Sequence, residues 1–275
     1  MPRTSENLPA TPPRPLLKAR TFQSMGTVIS LTLPVATPGG NPPDDELAAA
    51  AAVVERLFRD LDQIFSLYRP DSEASRLARG DLSLRAASAA MRGRYEEAMA
   101  WRLRTEGAFT PERPDGVLDL SGLIKAHAIR ESGTSLLALG RADWCLNAGG
   151  DVLVSGSPVP GSYEPWDAGI IDPLARGALL TGYPLGHGRG HEALATSGSA
   201  ERGDHIWSAA ASGSEFMQVS VLAKDIVTAD VLATAIVAGG VPMLNRATDG
   251  WDVDVLAVRT DGRLLATPGF RAGVS

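Results

Sequence analysis

The sequence is poor in cysteine, in aromatic residues and in basic charge. It has a single cysteine, Cys145, which excludes a disulfide within the chain. Cys145 lies in an apolar run with no cysteine–histidine pattern around it, which favours a core thiol over a catalytic one. Aromatic residues make up 5% of the chain and the net charge is −6. This acidic balance argues against a general binder of nucleic acid or anionic membrane, in which lysine and arginine would dominate.

Long hydrophobic runs and leader-like segments are also scarce. We find no run of membrane-spanning length. Residues 1–20 are rich in proline, with no apolar stretch typical of a signal peptide and no lipid-anchor cysteine. We therefore expect a cytoplasmic protein with a loose tail at 1–20 and a single domain over 21–275. Hydrophobic residues are 44% of the chain, which is enough for a sizeable core.

Hydrophobic periodicity predicts long helices separated by short strands. Helical spacing predicts helices over 44–68, 86–105 and 121–139, and an Ala-rich segment predicts another that begins near Thr228. Alternating or β-branched segments predict strands at 21–34, 117–120, 142–147, 151–155, 166–171, 179–183, 216–222, 253–258 and 263–266. Several of these strands are joined by hairpin turns such as Asp261-Gly262. The pattern favours an α+β fold with mixed, largely antiparallel sheets over a doubly wound sheet.

The most informative stretch is residues 219–240, VSVLAKDIVTADVLATAIVAGG. Asp230 and Thr234 lie four residues apart near the start of its helix, so their oxygens project from one face, one turn apart. A carboxylate and a hydroxyl on one edge form part of a shell for a hard cation such as Mg²⁺. The alternative is structural, since an acid near a helix start also complements the helix dipole.

A second candidate site lies where the third predicted helix begins. Asp119 precedes Ser121-Gly122, and Lys125 follows on the first turn or so of the helix. The free N–H groups of a helix N-terminus, together with a lysine, can bind phosphate. An exposed lysine on an ordinary helix is the alternative.

Six sequence blocks, taken in order, resemble the FAD:protein FMN transferases, the ApbE-like flavin transferases. The resemblance covers the chain from about Phe22 to at least Gly240. The blocks are MGT, FSLYRPDSEASRL, DLSGLIKAHAI, NAGGDV, ATSGSAERGDHI and VSVLAKDIVTADVLATAIVAGG.

The resemblance implies an activity and a set of site residues. Family members bind FAD with Mg²⁺, cleave its pyrophosphate and transfer FMN to a threonine or serine hydroxyl of an acceptor protein, releasing AMP. Asp230, Thr234 and the carbonyl of Gly122 match the metal positions. His205 and Lys125 match the positions to which we assign catalysis. The FAD contacts match Met25, Tyr68, Ala108, Phe109, Thr110, Asp119, Lys125 and Ile206.

The sequence also departs from the family pattern. Asp204 stands where the first of two adjacent histidines is expected, and Ser208-Ala209 where Asp-Pro is expected. Thr110 replaces an aspartate, and His127 stands where the family has a tyrosine. Two alternatives to the transferase therefore stay open. One is an FAD pyrophosphatase that forms FMN and AMP, and the other is an FAD-binding protein with little turnover.

Overall fold

A computed structural model describes residues 16–35, 44–186, 188–198 and 214–274. The helices are α1 (Asp44–Phe65), α2 (Glu73–Ala78), α3 (Ala89–Arg104), α4 (Ser121–Ala138), α5 (Ile226–Gly250) and α6 (Pro268–Gly273). The strands are β1 (Leu17–Ser24), β2 (Thr27–Pro34), β3 (Trp144–Ala148), β4 (Asp151–Ser155), β5 (Trp166–Ile171), β6 (Leu179–Leu185), β7 (Ala193–Gly198), β8 (Phe216–Ala223), β9 (Asp254–Arg259) and β10 (Leu264–Ala266).

The strands form one large sheet and one small one. Eight strands pair antiparallel in the order β1-β2-β3-β4-β7-β8-β9-β10, and β5 and β6 form a separate antiparallel pair. Hairpins join β1 to β2, β3 to β4 and β9 to β10, whereas long connections that contain helices join β2 to β3 and β8 to β9. The predicted α+β fold with largely antiparallel sheets is confirmed.

The large sheet buries both faces. Because side chains alternate along a strand, Val219 and Val221 of β8 face the helices, while Leu222 faces the other way. The helical face packs against α4 and α5 in the main core. The opposite face packs against β5, β6 and α6. Burial raises the pKa of the Cys145 thiol on β3 to about 12, which keeps it protonated at neutral pH, as expected of a core thiol.

Several element predictions need correction. Residues 21–34, predicted as one strand, form the end of β1 and all of β2, which turn back on each other at Met25-Gly26. Because β1 begins at Leu17, residues 17–20 belong to the sheet and not to the tail. The segment 117–120 forms only an isolated bridge between Leu118 and Glu112. The strand β7 and the short helix α2 were not predicted.

Helix α5 is the longest element and crosses the core. By length and composition it could span a membrane, contrary to our expectation that no run is long enough, although 72% of its most apolar stretch is buried inside the protein. The helix is kinked at Gly240, where φ is 65° and ψ is −154°. Its apolar surface is therefore used by the core, as in the central helix of a packed domain.

The kink in α5 frees two backbone groups, and the chain just before β8 satisfies both. Ser214 Oγ donates to the carbonyl of Val237 at 2.6 Å, and Glu215 Oε2 accepts from the N–H of Val241 at 2.9 Å. Pro242 follows directly and has no N–H of its own to donate. The start of β8 is thus fixed to the middle of α5.

Candidate functional site

The candidate metal pair lies on the first half of α5, where the helix packs against the sheet. Asp225 caps the helix by accepting from the N–H of Thr228 at 2.9 Å, which fixes where the helix begins. Asp230 is 4% exposed and Thr234 is partly buried. The two residues are one turn apart, as predicted. A carboxylate this deep in the core is more than an ordinary surface acid that complements the helix dipole.

Strand β7 brings hydroxyl groups to the same place. Ser197 Oγ lies 3.1 Å from Thr234 Oγ1, so a hydrogen bond joins β7 to α5. The preceding residue, Thr196, points to the other face of the sheet, where its Oγ1 lies 2.8 Å from Ser220 Oγ of β8. Both faces of β7 are therefore held by hydroxyl pairs at the end of the strand where it meets α5.

Lys125 also lies on the helical face of the sheet, on α4, and it is not the exposed lysine of the structural alternative. Lys125 is 7% exposed, and its side chain forms an ion pair with Asp151, which is fully buried at the start of β4. The other oxygen of that carboxylate, Oδ1, accepts from the N–H of Thr196 at 3.1 Å. A buried cation thus lies next to β7. Thr196 of this strand bonds to the partner of Lys125, and the following residue, Ser197, contacts Thr234.

The N-terminus of α4 and the loop at 108–110 lie next to each other. Asp119 Oδ1 accepts from the N–H of Ser121 at 2.9 Å and so fixes the start of the helix. A Cβ added at Gly122 would lie 3.7 Å from the Phe109 ring, so the ring covers the first turn of α4. A Cβ at Gly239 of α5 would lie 3.1 Å from Ala108. The loop therefore lies between α4 and α5.

Met25 lies in the turn between β1 and β2, at the edge formed by the β3–β4 hairpin. Its φ is 48°, an uncommon value for a residue other than glycine. Gly149 has a φ of 63°, and any Cβ there would collide with Thr27. The two turns are thus in close contact, which places Met25 near the turn that leads from β3 to Asp151 at the start of β4.

One described residue of the predicted site, Tyr68, is not brought into this buried group. Tyr68 lies between α1 and α2 with 83% of its surface exposed. His205 and Ile206 lie outside the described residues, as do Asp204 and the Ser208-Ala209 segment. In the chain, their segment follows the end of β7. It precedes Ser214 and Glu215, the two residues that bond to the kink of α5.

The donor atoms near α5 fit Mg²⁺ by their chemistry. Asp230 offers a carboxylate, and Thr234 and Ser197 offer hydroxyl oxygens 3.1 Å apart. Throughout the described part of the chain, no three His, Cys, Asp or Glu side chains come together as a metal cluster. A site with one carboxylate leaves the remaining positions to carbonyls, phosphate or water, which is how Mg²⁺ is commonly held in phosphoryl-transfer proteins.

A buried histidine stands on the far side of α4 from this group. His127 is fully buried, accepts at Nδ1 from Arg130 at 2.8 Å and places Nε2 2.9 Å from Glu97 Oε2. Burial, with the guanidinium groups of Arg94 and Arg130, lowers the pKa of His127 from 6.5 to about 3. The ring is therefore neutral, and because Nδ1 accepts from Arg130 its proton lies on Nε2.

Fold and geometry together define a class of protein. It is an antiparallel α+β domain with a buried lysine and an oxygen-rich helix edge on one face of its sheet, an arrangement suited to a phosphate-bearing ligand. A sequence model of the ApbE family matches residues 25–113 and 110–253. The chain belongs to the ApbE family.

Comparisons with individual proteins agree with this assignment. Over 166 residues the chain is 35% identical to an FAD:protein FMN transferase of Rhodobacter capsulatus; the match covers 56% of this chain but only 30% of that protein. The flavin transferase ApbE of Vibrio cholerae aligns over 94% of this chain and 99% of its own, with a TM-score of 0.73 and 21% identity. The ApbE protein of Thermotoga maritima aligns over 94% and 100%, with a TM-score of 0.76 and 17% identity. These two structures show the fold.

Sequence reasoning missed the residues that connect the site. None of the site residues predicted from the sequence is Asp151, Thr196 or Ser197. The motif ATSG carries no β-branched or aromatic run, so its strand character depends on its neighbours in the sheet. A usable signal was the NAGGDV block, whose aspartate follows two glycines directly.

Proposed function

We propose that this protein is a Mg²⁺-dependent FAD:protein FMN transferase that attaches FMN to a threonine or serine hydroxyl of an acceptor protein. The observation that carries the proposal is that buried Lys125 and the Asp230–Thr234 edge lie on the same face of the sheet and are both linked to β7. A pyrophosphate needs positive charge and positioning more than covalent help, because phosphoryl transfer develops charge on the phosphate oxygens. The family membership and the transferase relative point to the same chemistry.

In the proposed reaction one phosphoester bond forms and one phosphoanhydride bond breaks. The hydroxyl oxygen of the acceptor bonds to the phosphorus of the FMN half, and the bond from that phosphorus to the bridging oxygen breaks. AMP leaves with the electron pair of that bond, and the hydroxyl proton passes to a base. We assign the base to His205, whose ordinary pKa lies near neutral. Lys125 binds the leaving phosphate and offsets its growing charge.

The metal would be held by Asp230, Thr234 and the carbonyl of Gly122. When bound, Mg²⁺ neutralises phosphate charge and orients the two phosphates. The chain supplies the rest of the binding site. Met25, Asp119 and the loop Ala108–Thr110 surround the start of α4 and the β3–β4 edge, where they would contact FAD. Tyr68 and Ile206 complete the proposed FAD contacts, and we keep the cytoplasm as the proposed location.

The test uses the whole chain with FAD, Mg²⁺ and candidate acceptor proteins. AMP is measured by chromatography, and covalent flavin on the acceptor by fluorescence in a denaturing gel. AMP together with a fluorescent acceptor supports the transferase. AMP with free FMN alone would identify a pyrophosphatase, and bound FAD without AMP would identify a binding protein. Chelation of Mg²⁺ with EDTA should stop AMP release.

Replacing the proposed metal carboxylate tests the site directly. We expect Asp230→Ala to lower AMP release at least a hundredfold while circular dichroism stays unchanged, because its carboxylate is the single acidic ligand in the proposed shell. The matched control is Asp249→Ala, which removes an exposed carboxylate from the last turn of the same helix. A folded Asp230→Ala protein that releases AMP at the wild-type rate would refute the metal role.

A further inference from the structure

Lys125 does not stand alone at the site. Its ammonium is paired with Asp151, and the two side chains are 8% and 0% exposed. A buried charge without a partner costs several kcal/mol, so the carboxylate offsets a penalty that Lys125 would otherwise carry. The pair therefore determines where a buried cation can stand.

The two oxygens of Asp151 have different partners. Oδ2 faces Lys125, and Oδ1 accepts from the N–H of Thr196 at 3.1 Å. Asp151 is the first residue of β4 and pairs with Ala148 across the hairpin, so its backbone is held as well. With both backbone and side chain held, the carboxylate has little freedom to follow Lys125 if the lysine moves.

Strand β7 links this pair to the proposed metal edge. Thr196 donates its N–H to Asp151, and the next residue, Ser197, places Oγ 3.1 Å from Thr234 Oγ1. Adjacent residues of a strand are separated by a fixed rise of about 3.3 Å. The ammonium of Lys125 and the edge of α5 are thus tied to one rigid stretch of backbone.

We propose that Asp151 is a positioning residue, which holds the Lys125 ammonium at a set place relative to Asp230 and Thr234 so that one pyrophosphate contacts both. This rests on the proposed function. Asp151 contacts no part of FAD and acts only through Lys125. Its loss should therefore matter only while Lys125 is present.

A double-mutant cycle tests this dependence. The variants are Asp151→Asn, Lys125→Met and the two combined; asparagine keeps an acceptor for the Thr196 N–H and removes the charge. We expect Asp151→Asn alone to lower kcat/KM for AMP release at least tenfold. In the Lys125→Met background it should change kcat, KM and the Kd for FAD by less than twofold, because residues that act as a unit are not additive.

Two results would overturn the proposal. One is a fully active Asp151→Asn protein, and the other is a double variant in which the two losses multiply. If Asp151→Asn alone does not fold, the comparison of Lys125→Met with the double variant still decides. Lys125→Met keeps the Asp151 carboxylate bonded to the Thr196 N–H, the double variant removes both buried charges, and urea unfolding of each shows that it is folded before the kinetics are compared. Wild-type turnover is measured first, so failure of the proposed function appears as no AMP release and overturns both.

The matched control is Asp254→Asn. Asp254 is another partly enclosed carboxylate with specific partners, His191 Nε2 at 3.0 Å and Thr267 Oγ1 at 2.6 Å. It starts β9 opposite Leu222, at the end of the sheet away from Ser197. Removal of its charge should leave kcat/KM within twofold of wild type. This result would show that the effect of Asp151→Asn is specific to Asp151 and does not follow from the loss of any bonded carboxylate.

Discussion

At the scale of single residues, two buried side chains of α4 show how burial and neighbouring charges act together. Lys125 is buried with Asp151, and His127 is buried in its neutral form between Arg130 and Glu97. Lys125 and His127 are two residues apart on α4, but their surroundings favour different protonation behaviour. One keeps its charge beside a carboxylate, and the other loses its proton because burial and two guanidinium groups oppose it.

The lowered pKa of His127 predicts acid sensitivity. Between its ordinary value of 6.5 and the folded value of about 3, the unfolded chain binds a proton that the folded protein does not. The free energy of unfolding should therefore fall as the pH falls through this window, by up to about 1.4 kcal/mol per pH unit from this group. Urea unfolding of wild type and His127→Gln at pH 6 and 4.5 measures the contribution.

The comparison of slopes isolates His127, because both proteins carry every other titrating group. His127→Gln is expected to be less stable than wild type at pH 7, where a buried contact is lost, yet to lose less stability on acidification. Parallel stability curves for the two proteins would show that His127 is protonated in the folded state.

At the scale of elements, α5 does two jobs on either side of its kink. Its first half carries Asp230 and Thr234, and its second half begins at the clasp formed by Ser214 and Glu215. Gly240 allows the break because its φ of 65° is open to glycine at no steric cost. The kink therefore fixes the start of β8 without disturbing the helix that holds the site.

Two glycine substitutions should have opposite effects on stability. Gly240→Ala should lower the free energy of unfolding by about 2 kcal/mol, because alanine strains that φ and its Cβ would lie 2.8 Å from Glu215. Gly93→Ala, inside α3 with open space at the Cβ, should raise it by about 0.5–1 kcal/mol. Urea titration of both variants measures the pair, and a stabilised Gly240→Ala protein would contradict the strained kink.

The whole molecule assembles its site from segments far apart in the chain. The β1–β2 turn, α4, the β3–β4 hairpin, β7 and α5 meet at one end of one sheet. A ligand that bridges them binds the folded protein and not the unfolded chain. Such binding raises the free energy of unfolding by an amount set by concentration and affinity.

This predicts stabilisation by flavin dinucleotide that depends on the metal. An FAD analogue with methylene in place of the bridging oxygen avoids cleavage. At 100 times its Kd, with Mg²⁺, it should stabilise the wild type by about 2.7 kcal/mol. EDTA should remove most of this gain, and Asp230→Ala should show no difference between Mg²⁺ and EDTA. An equal gain with and without Mg²⁺ in the wild type would place the metal outside the binding site.

The sequence predicts some parts of this arrangement far better than others. Helices α1 and α4 were predicted within a few residues, because apolar positions recur at helical spacing over several turns. Helix α2 is too short for that signal, and β7 ends in the small polar residues Thr196-Ser197-Gly198, which are equally typical of turns. The ion pair of Lys125 and Asp151 joins separate elements, so no local pattern could predict it.

Because β7 uses hydroxyl groups on both of its faces, its length limits which changes in the sequence the protein can tolerate. Thr196 and Ser197 point to opposite faces of the sheet, where their hydroxyls contact Ser220 and Thr234 respectively. Loss or gain of one residue upstream in the strand would exchange their faces, turning the serine toward β5 and β6 and the threonine toward α5. Insertions and deletions in this short strand should therefore abolish activity more often than point substitutions do. A deletion scan that measures AMP release would show the difference.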